Sequence, residues 1–294
     1  MVTGFINWNV DPEIIKLFGV ISLRYYGLLF VTGLFLGYFI VKRIYIKENL
    51  PIENLEKLAV FIFIGTIVGA RFGHCLFYEP EYYLKHPLDI ILPFKWDSNG
   101  KFEFTGFQGL ASHGGAIGVL TAIALYCKRS QFGFLWVLDR VAIATPLTGA
   151  FIRFGNFMNS EIIGEPTGTN FGIVFQRVDL LPRHPTQLYE AFSYLTIFLV
   201  LYWIYSKRTK RQDGHIFGLF LVMLFGVRFI LEFLKINQVD FENGMILNMG
   251  QLLSIPFILG GIGLIVWKRT PMQNSKISGK SGLGDSLIDN YNAS

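Results

Sequence analysis

The sequence predicts an all-α integral membrane protein with seven transmembrane helices. Its N-terminus and two long loops lie on the outer, periplasmic side, and its C-terminus in the cytoplasm. Three observations predict this. Charged residues are only 16% of the 294, against about 25% in soluble domains. Hydrophobic residues are 52% and the mean hydropathy is +0.43. Finally, residues 25–41, 104–127, 191–206 and 245–267 contain no Asp, Glu, Lys or Arg. Each run is about the length a helix needs to cross a hydrocarbon core of roughly 30 Å.

In chain order, the first helix is expected over 20–45. The preceding residues carry no basic run or small-residue cleavage site, so it reads as an uncleaved signal anchor. Helix 2 (56–78) is an apolar run interrupted by Arg71, and helix 3 covers 108–127. Helix 4 (136–156) carries Arg153, helix 5 covers 187–206, helix 6 (214–234) carries Arg228, and helix 7 covers 245–268. Loops 79–107 and 157–185 are longer than connectors need, which marks them as functional. Residues 1–270 form one domain, and 271–294, rich in Ser, Gly, Asn and Lys, read as a disordered cytoplasmic tail.

Basic residues fix the orientation. Lys42, Arg43, Lys47 and Lys57 follow helix 1, Lys128 and Arg129 follow helix 3, Lys207, Arg208, Lys210 and Arg211 follow helix 5, and Lys268 and Arg269 follow helix 7. These clusters account for the net charge of +5 without nucleic acid as a partner. Cys75 and Cys127 stand in apolar surroundings and read as small buried hydrophobes. No metal-ligand, serine-hydrolase or nucleotide-binding motif occurs, so neither a metal nor a cofactor is expected.

An arginine inside a membrane helix is costly and therefore a candidate for function. Arg71, Arg153 and Arg228 each stand 12 to 13 residues from the inner start of their helix. That places all three roughly 20 Å up, in the outer half of the bilayer. Guanidinium groups at one level suit a phosphate or carboxylate, which they grip through two nitrogens. Tyr26, His113, Gln187, Tyr189 and Glu190 open inward-running helices at the same level. Arg228 and Glu232 are spaced to touch on one helical face, either as an internal salt bridge or as part of the site. His113 is either a packing residue or a proton acceptor, with Gly114 and Gly115 beside it to let a ligand approach. The densest polar segment is Arg153-Phe154-Gly155-Asn156-Phe157-Met158-Asn159-Ser160-Glu161-Ile162-Ile163-Gly164. Asn156 and Asn159 there can donate to ester or phosphate oxygens, and Glu161 can orient an arginine.

This segment resembles the signature of bacterial phosphatidylglycerol:prolipoprotein diacylglyceryl transferases. Further blocks in the same order strengthen the resemblance: Arg24-Tyr25-Tyr26-Gly27-Leu28, Gly69-Ala70-Arg71-Phe72-Gly73, Ser112-His113-Gly114-Gly115, His184-Pro185-Thr186-Gln187-Leu188-Tyr189-Glu190, Arg228-Phe229-Ile230-Leu231-Glu232-Phe233 and Met249-Gly250-Gln251. The resemblance implies an enzyme of the cytoplasmic (inner) membrane with its active site toward the outer leaflet. It would move the diacylglyceryl group of phosphatidylglycerol onto the lipobox cysteine of a preprolipoprotein signal peptide, releasing glycerol 1-phosphate, with no cofactor. It further implies that Arg153 and Arg228 contact the headgroup, that Tyr26, Asn156, Glu161 and Gly164 line the site, and that Glu232 holds Arg228. His113 would take the thiol proton. Arg71, Gly114, Asn159, Gln187, Tyr189 and Glu190 complete the expected substrate-binding set.

This sequence departs from the family in three places, one being the block before His113, which has Phe107 and Ala111 where a tryptophan and a bulky apolar residue are common. Ile152 stands where the family has glycine before the signature arginine, with Gly149 one turn earlier. Leu224 and Phe225 occupy a stretch where many members carry a tyrosine, which leaves Tyr26, Tyr189 or His113 to move the proton. A transporter or flippase for an anionic solute or lipid is the alternative that arginines in a membrane cavity allow. The chain shows no internal repeat to support it.

Overall fold

The structure, a computed structural model, describes residues 4–17, 21–90, 94–96, 102–104, 111–169, 171–207, 212–236 and 245–267. The expected tail, and Arg208, Lys210, Arg211, Lys268 and Arg269, lie outside these residues. The long helices are α1 (Tyr25–Lys47), α2 (Ile52–Phe77), α4 (Ser112–Arg129), α5 (Phe134–Met158), α6 (Thr186–Lys207), α7 (His215–Leu231) and α8 (Met249–Val266), with a short α3 (Pro80–Lys85) after α2. Six of them are long and apolar enough to cross a membrane: α1, α2, α5, α6, α7 with the 3-10 turn that follows it, and α8. The remaining long helix, α4, opens on Ser-His-Gly-Gly and closes on Lys128 and Arg129, which lowers its apolar content.

Local hydrogen bonding sets the helix starts. α1 begins at Tyr25 rather than near residue 20, because Ile21–Arg24 (β3) pairs antiparallel with Glu13–Leu17 (β2), and Tyr25 N–H donates to the Pro12 carbonyl at 3.0 Å. α8 begins four residues inside its apolar run. Asn248 closes a capping box there, its side chain accepting from Gln251 N–H at 2.9 Å while the Gln251 side chain accepts from Asn248 N–H at 3.0 Å.

Contacts sort the helix termini into two ends. At one end, Glu48 after α1 meets Arg140 of α5 at 3.0 Å and accepts from Tyr205 of α6 at 2.9 Å. Asp139, buried, accepts the Gly214 and Phe217 N–H groups at the start of α7 at 2.9 and 2.8 Å. The two bonds satisfy helix donors that have no intrahelical partner. Lys42, Arg43, Lys47, Lys57, Lys128, Arg129 and Lys207 all belong to helix segments at this basic end. The opposite end holds the start of α1, α4, α6 and α8 and the finish of α2, α5 and α7.

Glycines decide how closely the helices approach. Gly65, Gly69 and Gly73, one turn apart on α2, face Gly114, Gly118 and Ala122 on α4. A Cβ on Gly73 would lie 2.6 Å from the Gly114 Cα, and one on Gly65 would lie 2.5 Å from the Ala122 Cβ. Small residues every fourth position are what membrane helices use for close packing. Gly218 and Gly261 do the same between α7 and α8, each Cβ position lying 2.8 or 2.7 Å from the other residue's carbonyl oxygen.

A small sheet covers the end opposite the basic one. Gly4–Trp8 (β1) runs parallel to Phe171–Phe175 (β6), which pairs antiparallel with Pro182–Arg183 (β7). A further pair, Phe94–Trp96 (β4) and Phe102–Phe104 (β5), lies in the first long loop. Trp8 packs on Phe157 at 4.4 Å between centroids, and Phe157 on Phe175 at 5.8 Å, so the sheet is seated directly on the last turn of α5.

Candidate functional site

That last turn carries the polar segment. Arg153 directs Nε to the Glu190 carboxylate of α6 at 2.8 Å and Nη1 to the Asn156 side-chain oxygen at 3.3 Å. The Asn156 amide donates to Glu161 Oε2 at 3.1 Å, and Asn159 donates to Glu161 Oε1 at 3.0 Å. The loop can turn this tightly because Ser160 and Ile162 adopt φ of 56° and 55°. A left-handed conformation at a β-branched isoleucine stores strain, which accumulates at functional sites. The Gln187 side chain donates to the Glu161 carbonyl and Thr186 Oγ1 to the Ile162 carbonyl, so α6 clamps the strained loop from below.

Glu190 has no exposed surface and holds a second cation, Lys235, at 2.9 Å. Lys235 follows the 3-10 turn Glu232–Leu234 that closes α7, and it also pairs with Glu232 at 3.1 Å. Lys235 is buried. Its backbone forms an antiparallel bridge with Gly164, the last signature residue. Only glycine fits there, since a Cβ would meet the His184 carbonyl at 2.6 Å and the Leu234 carbonyl at 2.7 Å. Glu232, in turn, lies against the first turn of α8, where a Cβ on Gly250 would stand 2.5 Å from its carboxyl carbon. An N-terminal helical turn favours a carboxylate.

The anticipated pairing of Glu232 with Arg228 is therefore not formed. The chain tightens into a 3-10 turn at Glu232, and the carboxylate points to Lys235 and α8 instead. Arg228 is left without a carboxylate partner among the described residues, and its buried Nε has no hydrogen-bond partner among them. Tyr194 of α6 lies within electrostatic reach of Arg153, Glu190 and Arg228. Its ring fits because Gly149 faces it, with the Cβ position 3.1 Å from Tyr194 Cδ2. The glycine one turn before Ile152 thus serves the site by admitting a ring. Tyr26 packs on Gly155, whose Cβ position is 2.8 Å from Tyr26 Cδ2, and it reaches Glu161 and Arg153 electrostatically.

The structure places the other expected residues at the same end of the helices, and it joins none of Arg71, His113 or Gly114 to this cluster. Tyr189 OH contacts His184 Nδ1 at 3.4 Å. Gly114 is buried in the α2–α4 contact, where its Cα faces Gly73. His113, beside it on the first turn of α4, is exposed and has no hydrogen-bond partner among the described residues. Arg71 directs Nε to the Ile90 carbonyl at 3.0 Å and Nη2 to the Asp89 carbonyl at 2.5 Å, and it stands 5.0 Å from the Tyr83 ring centroid. Its fork thus holds the loop after α3. In that loop, the hydrogen bond to Asp89, reinforced by burial, pushes the Tyr82 hydroxyl up to about 12. On the sheet, the Arg183 guanidinium holds the Asp179 carboxyl below the usual carboxylate range.

Two residues escaped the sequence reading. Lys235 follows an apolar run and looks like an ordinary helix-end lysine; its spacing of three from Glu232 was the available signal. Tyr194 is one of several aromatics on α6, and nothing in its own neighbourhood marks it.

Fold and site together define a polytopic helical membrane protein with an arginine-bearing polar cluster near one end of the bundle. The sequence profile described as prolipoprotein diacylglyceryl transferase matches residues 12–267. The phosphatidylglycerol--prolipoprotein diacylglyceryl transferase of Bacteroides fragilis is 50% identical over 258 residues, 87% of this chain and 93% of the relative. The enzymes of that name from Tolumonas auensis (52% over 260 residues, 88% and 96% covered) and Porphyromonas gingivalis (46% over 280, 90% and 94%) are similarly related. This chain belongs to the prolipoprotein diacylglyceryl transferase family.

Proposed function

We propose that this protein transfers the diacylglyceryl group of phosphatidylglycerol to the thiol of a lipobox cysteine, the first step of lipoprotein maturation. Identity near one half to enzymes named for this reaction, over nearly the whole chain, is the observation that carries the reading. Arg228, with no carboxylate partner among the described residues, and Arg153, fixed by Glu190 and Asn156, supply the charge that the reaction requires.

A thiol of ordinary pKa near ~8.5 loses its proton to become nucleophilic. The thiolate attacks the carbon of the diacylglyceryl group that bears the phosphate, a carbon–sulfur bond forms, and the bond from that carbon to the phosphate oxygen breaks. Glycerol 1-phosphate leaves with the electron pair. Negative charge grows on the phosphate as it departs, and a guanidinium held in a place poor in water stabilises that growth. Arg228 meets the phosphate; Asn156, Asn159, Tyr26 and Gly164 shape the pocket. Gln187 and Glu161 hold the loop, Tyr189 supports its rim, and Arg71 holds the separate loop after α3. His113 receives the thiol proton, with Gly114 holding α4 close to α2.

In the membrane, α4 completes a seven-span bundle. The basic end faces the cytoplasm, and the arginine-bearing end with its sheet faces outward. The enzyme then acts on outer-leaflet lipid of the cytoplasmic membrane.

Purified protein given phosphatidylglycerol and a lipobox peptide is expected to release glycerol phosphate in step with thioether formation. No release from a folded preparation overturns the reading. In the same assay, His113→Gln is expected to slow transfer more at neutral than at alkaline pH, where thiolate forms unaided; an unchanged pH profile removes His113 from proton transfer.

A further inference from the structure

Among the interior charges of the site, two carboxylates face three cations. Glu190 is fully buried, and Glu232 and Lys235 are buried. Lys235 Nζ lies 2.9 Å from one Glu190 oxygen, Arg153 Nε lies 2.8 Å from the other, and Lys235 also holds Glu232 at 3.1 Å. Arg228 has no carboxylate partner among the described residues. Arg153, Arg228 and Lys235 against Glu190 and Glu232 leave one net positive charge, while Glu161 stands at the exposed rim where water screens it. A phosphodiester lipid headgroup carries one negative charge.

We propose that Lys235 is a positioning residue that sets this balance. By neutralising Glu190 and Glu232 it leaves Arg228 uncompensated for the phosphate, and by bearing on the far oxygen of Glu190 it keeps the near one on Arg153. The proposal rests on the reading of Arg153 and Arg228 as a phosphate site. Lys235 does not touch the lipid; it acts through Glu190. Its backbone bridge to Gly164 and its N–H bond to the Glu232 carbonyl at 3.2 Å hold the ammonium where three elements meet. Without it, two buried carboxylates face two arginines, and the interior set is neutral toward an anionic ligand. Removing one partner of a buried charge pair leaves the other uncompensated, which is the costly case.

The test is a charge swap in the full-length protein in mixed micelles of phosphatidylglycerol, with a lipobox peptide as acceptor and uncharged diacylglycerol as competitor. Lys235→Met is expected to raise the apparent KM for phosphatidylglycerol roughly tenfold or more, the scale on which desolvated charge pairs act. The change in kcat is expected to be smaller, and inhibition by diacylglycerol unchanged. Lys235→Arg is expected to stay near wild type. The double variant Lys235→Met with Glu232→Gln restores one net positive charge and is expected to recover most of the lost affinity.

A residue needed only for packing predicts the opposite, since the double variant removes two buried contacts and falls further. Unchanged KM in Lys235→Met, or a double variant no better than the single, overturns the proposal. If Lys235→Met does not fold, the double variant decides alone: near-normal KM supports the balance, and lost affinity or lost folding overturns it. Arg228→Ala in the same assay separates the two readings. If it binds phosphatidylglycerol normally, the phosphate site itself is misplaced. If it loses binding while Lys235→Met does not, only the role of Lys235 falls.

Discussion

Replacing Gly250 with alanine adds one methyl group at the first turn of α8 and directs it at the site. The new Cβ would stand 2.5 Å from Glu232 Cδ, 2.6 Å from Oε1 and 2.9 Å from Oε2. Ordinary carbon contacts begin near ~3.5 Å, so the carboxylate must retreat by about 1 Å. It has little room, being buried and tied to Lys235 at 3.1 Å. Overpacking of this kind costs about 1–3 kcal/mol, and alanine returns about 0.5–1 kcal/mol through its better helix propensity. The net loss is on the order of 1–2 kcal/mol, which lowers Tm by several degrees in a protein of this size. Gly260 on the same helix is the control, because nothing lies within 4 Å of its Cβ position. Gly260→Ala is expected to match or slightly exceed wild-type Tm. Gly250→Ala is expected to lose transfer activity about tenfold, the equivalent of roughly 1.4 kcal/mol at the transition state, as the Glu232–Lys235–Glu190 chain loosens. Unfolding followed by tryptophan fluorescence and transfer to a lipobox peptide check both. Equal stability and activity in the two variants refutes the close contact and the importance of the chain.

Three further outcomes are expected. Arg153→Lys loses activity tenfold or more, because one ammonium cannot serve both Glu190 and Asn156 from the positions of Nε and Nη1; full activity in that variant removes the fork from the mechanism. Gly69→Val disrupts the α2–α4 contact, since its side chain would strike the Gly114 carbonyl oxygen and the Gly118 Cα, whereas Gly27→Ala meets nothing within 4 Å; limited proteolysis of the two variants should separate them clearly. The Asp179–Arg183 pair stabilises the sheet in a pH-dependent way. The folded carboxyl is held below its usual range by Arg183, so its contribution is complete above the ordinary carboxylate pKa near ~4 and is lost as pH falls through the folded value. Protection from hydrogen exchange at β6 and β7, taken relative to the intrinsic rate at each pH, should fall in acid for the wild type and much less for Asp179→Asn.

Lipid explains why the helices were legible: a span must satisfy its own backbone and stay apolar for a fixed length, and six of the expected segments are helices that meet both conditions. The signature segment was legible for the complementary reason, that Arg153, Asn156 and Glu161 are too polar for their surroundings. Arg153 indeed meets Asn156 within one turn, and Asn156 meets Glu161 in the loop that follows, so Glu161 reaches the arginine only through the amide. The partners of the charged side chains were not legible. Arg71 stands about as far along its helix as Arg153 and Arg228 along theirs, yet it binds the carbonyls of Asp89 and Ile90 after α3. Glu232 has the right spacing for Arg228 and turns to Lys235, because the helix tightens at that residue. Gly65, Gly69 and Gly73 recur at intervals of four in the sequence, so the close α2–α4 approach was encoded in a pattern available to inspection.

Depth therefore gives the level of a charge and not its partner, and in a membrane the partner decides function. Three uncompensated guanidinium groups at one level would be too costly to hold empty, since each must be desolvated. The structure resolves this by giving the arginines different company. Arg71 is satisfied by backbone carbonyls, Arg153 by Glu190 and Asn156, and only Arg228 retains a buried nitrogen without a partner among the described residues. The pairing has a kinetic consequence. An arginine already held by a carboxylate is pre-oriented and pays no reorganisation when charge grows beside it, whereas an unpaired one attracts the ligand in the ground state. Arg228 is thus expected to govern the KM for phosphatidylglycerol and Arg153 chiefly kcat. Parallel steady-state measurements on Arg228→Lys and Arg153→Lys test that division, and equal effects on both parameters in both variants would remove it.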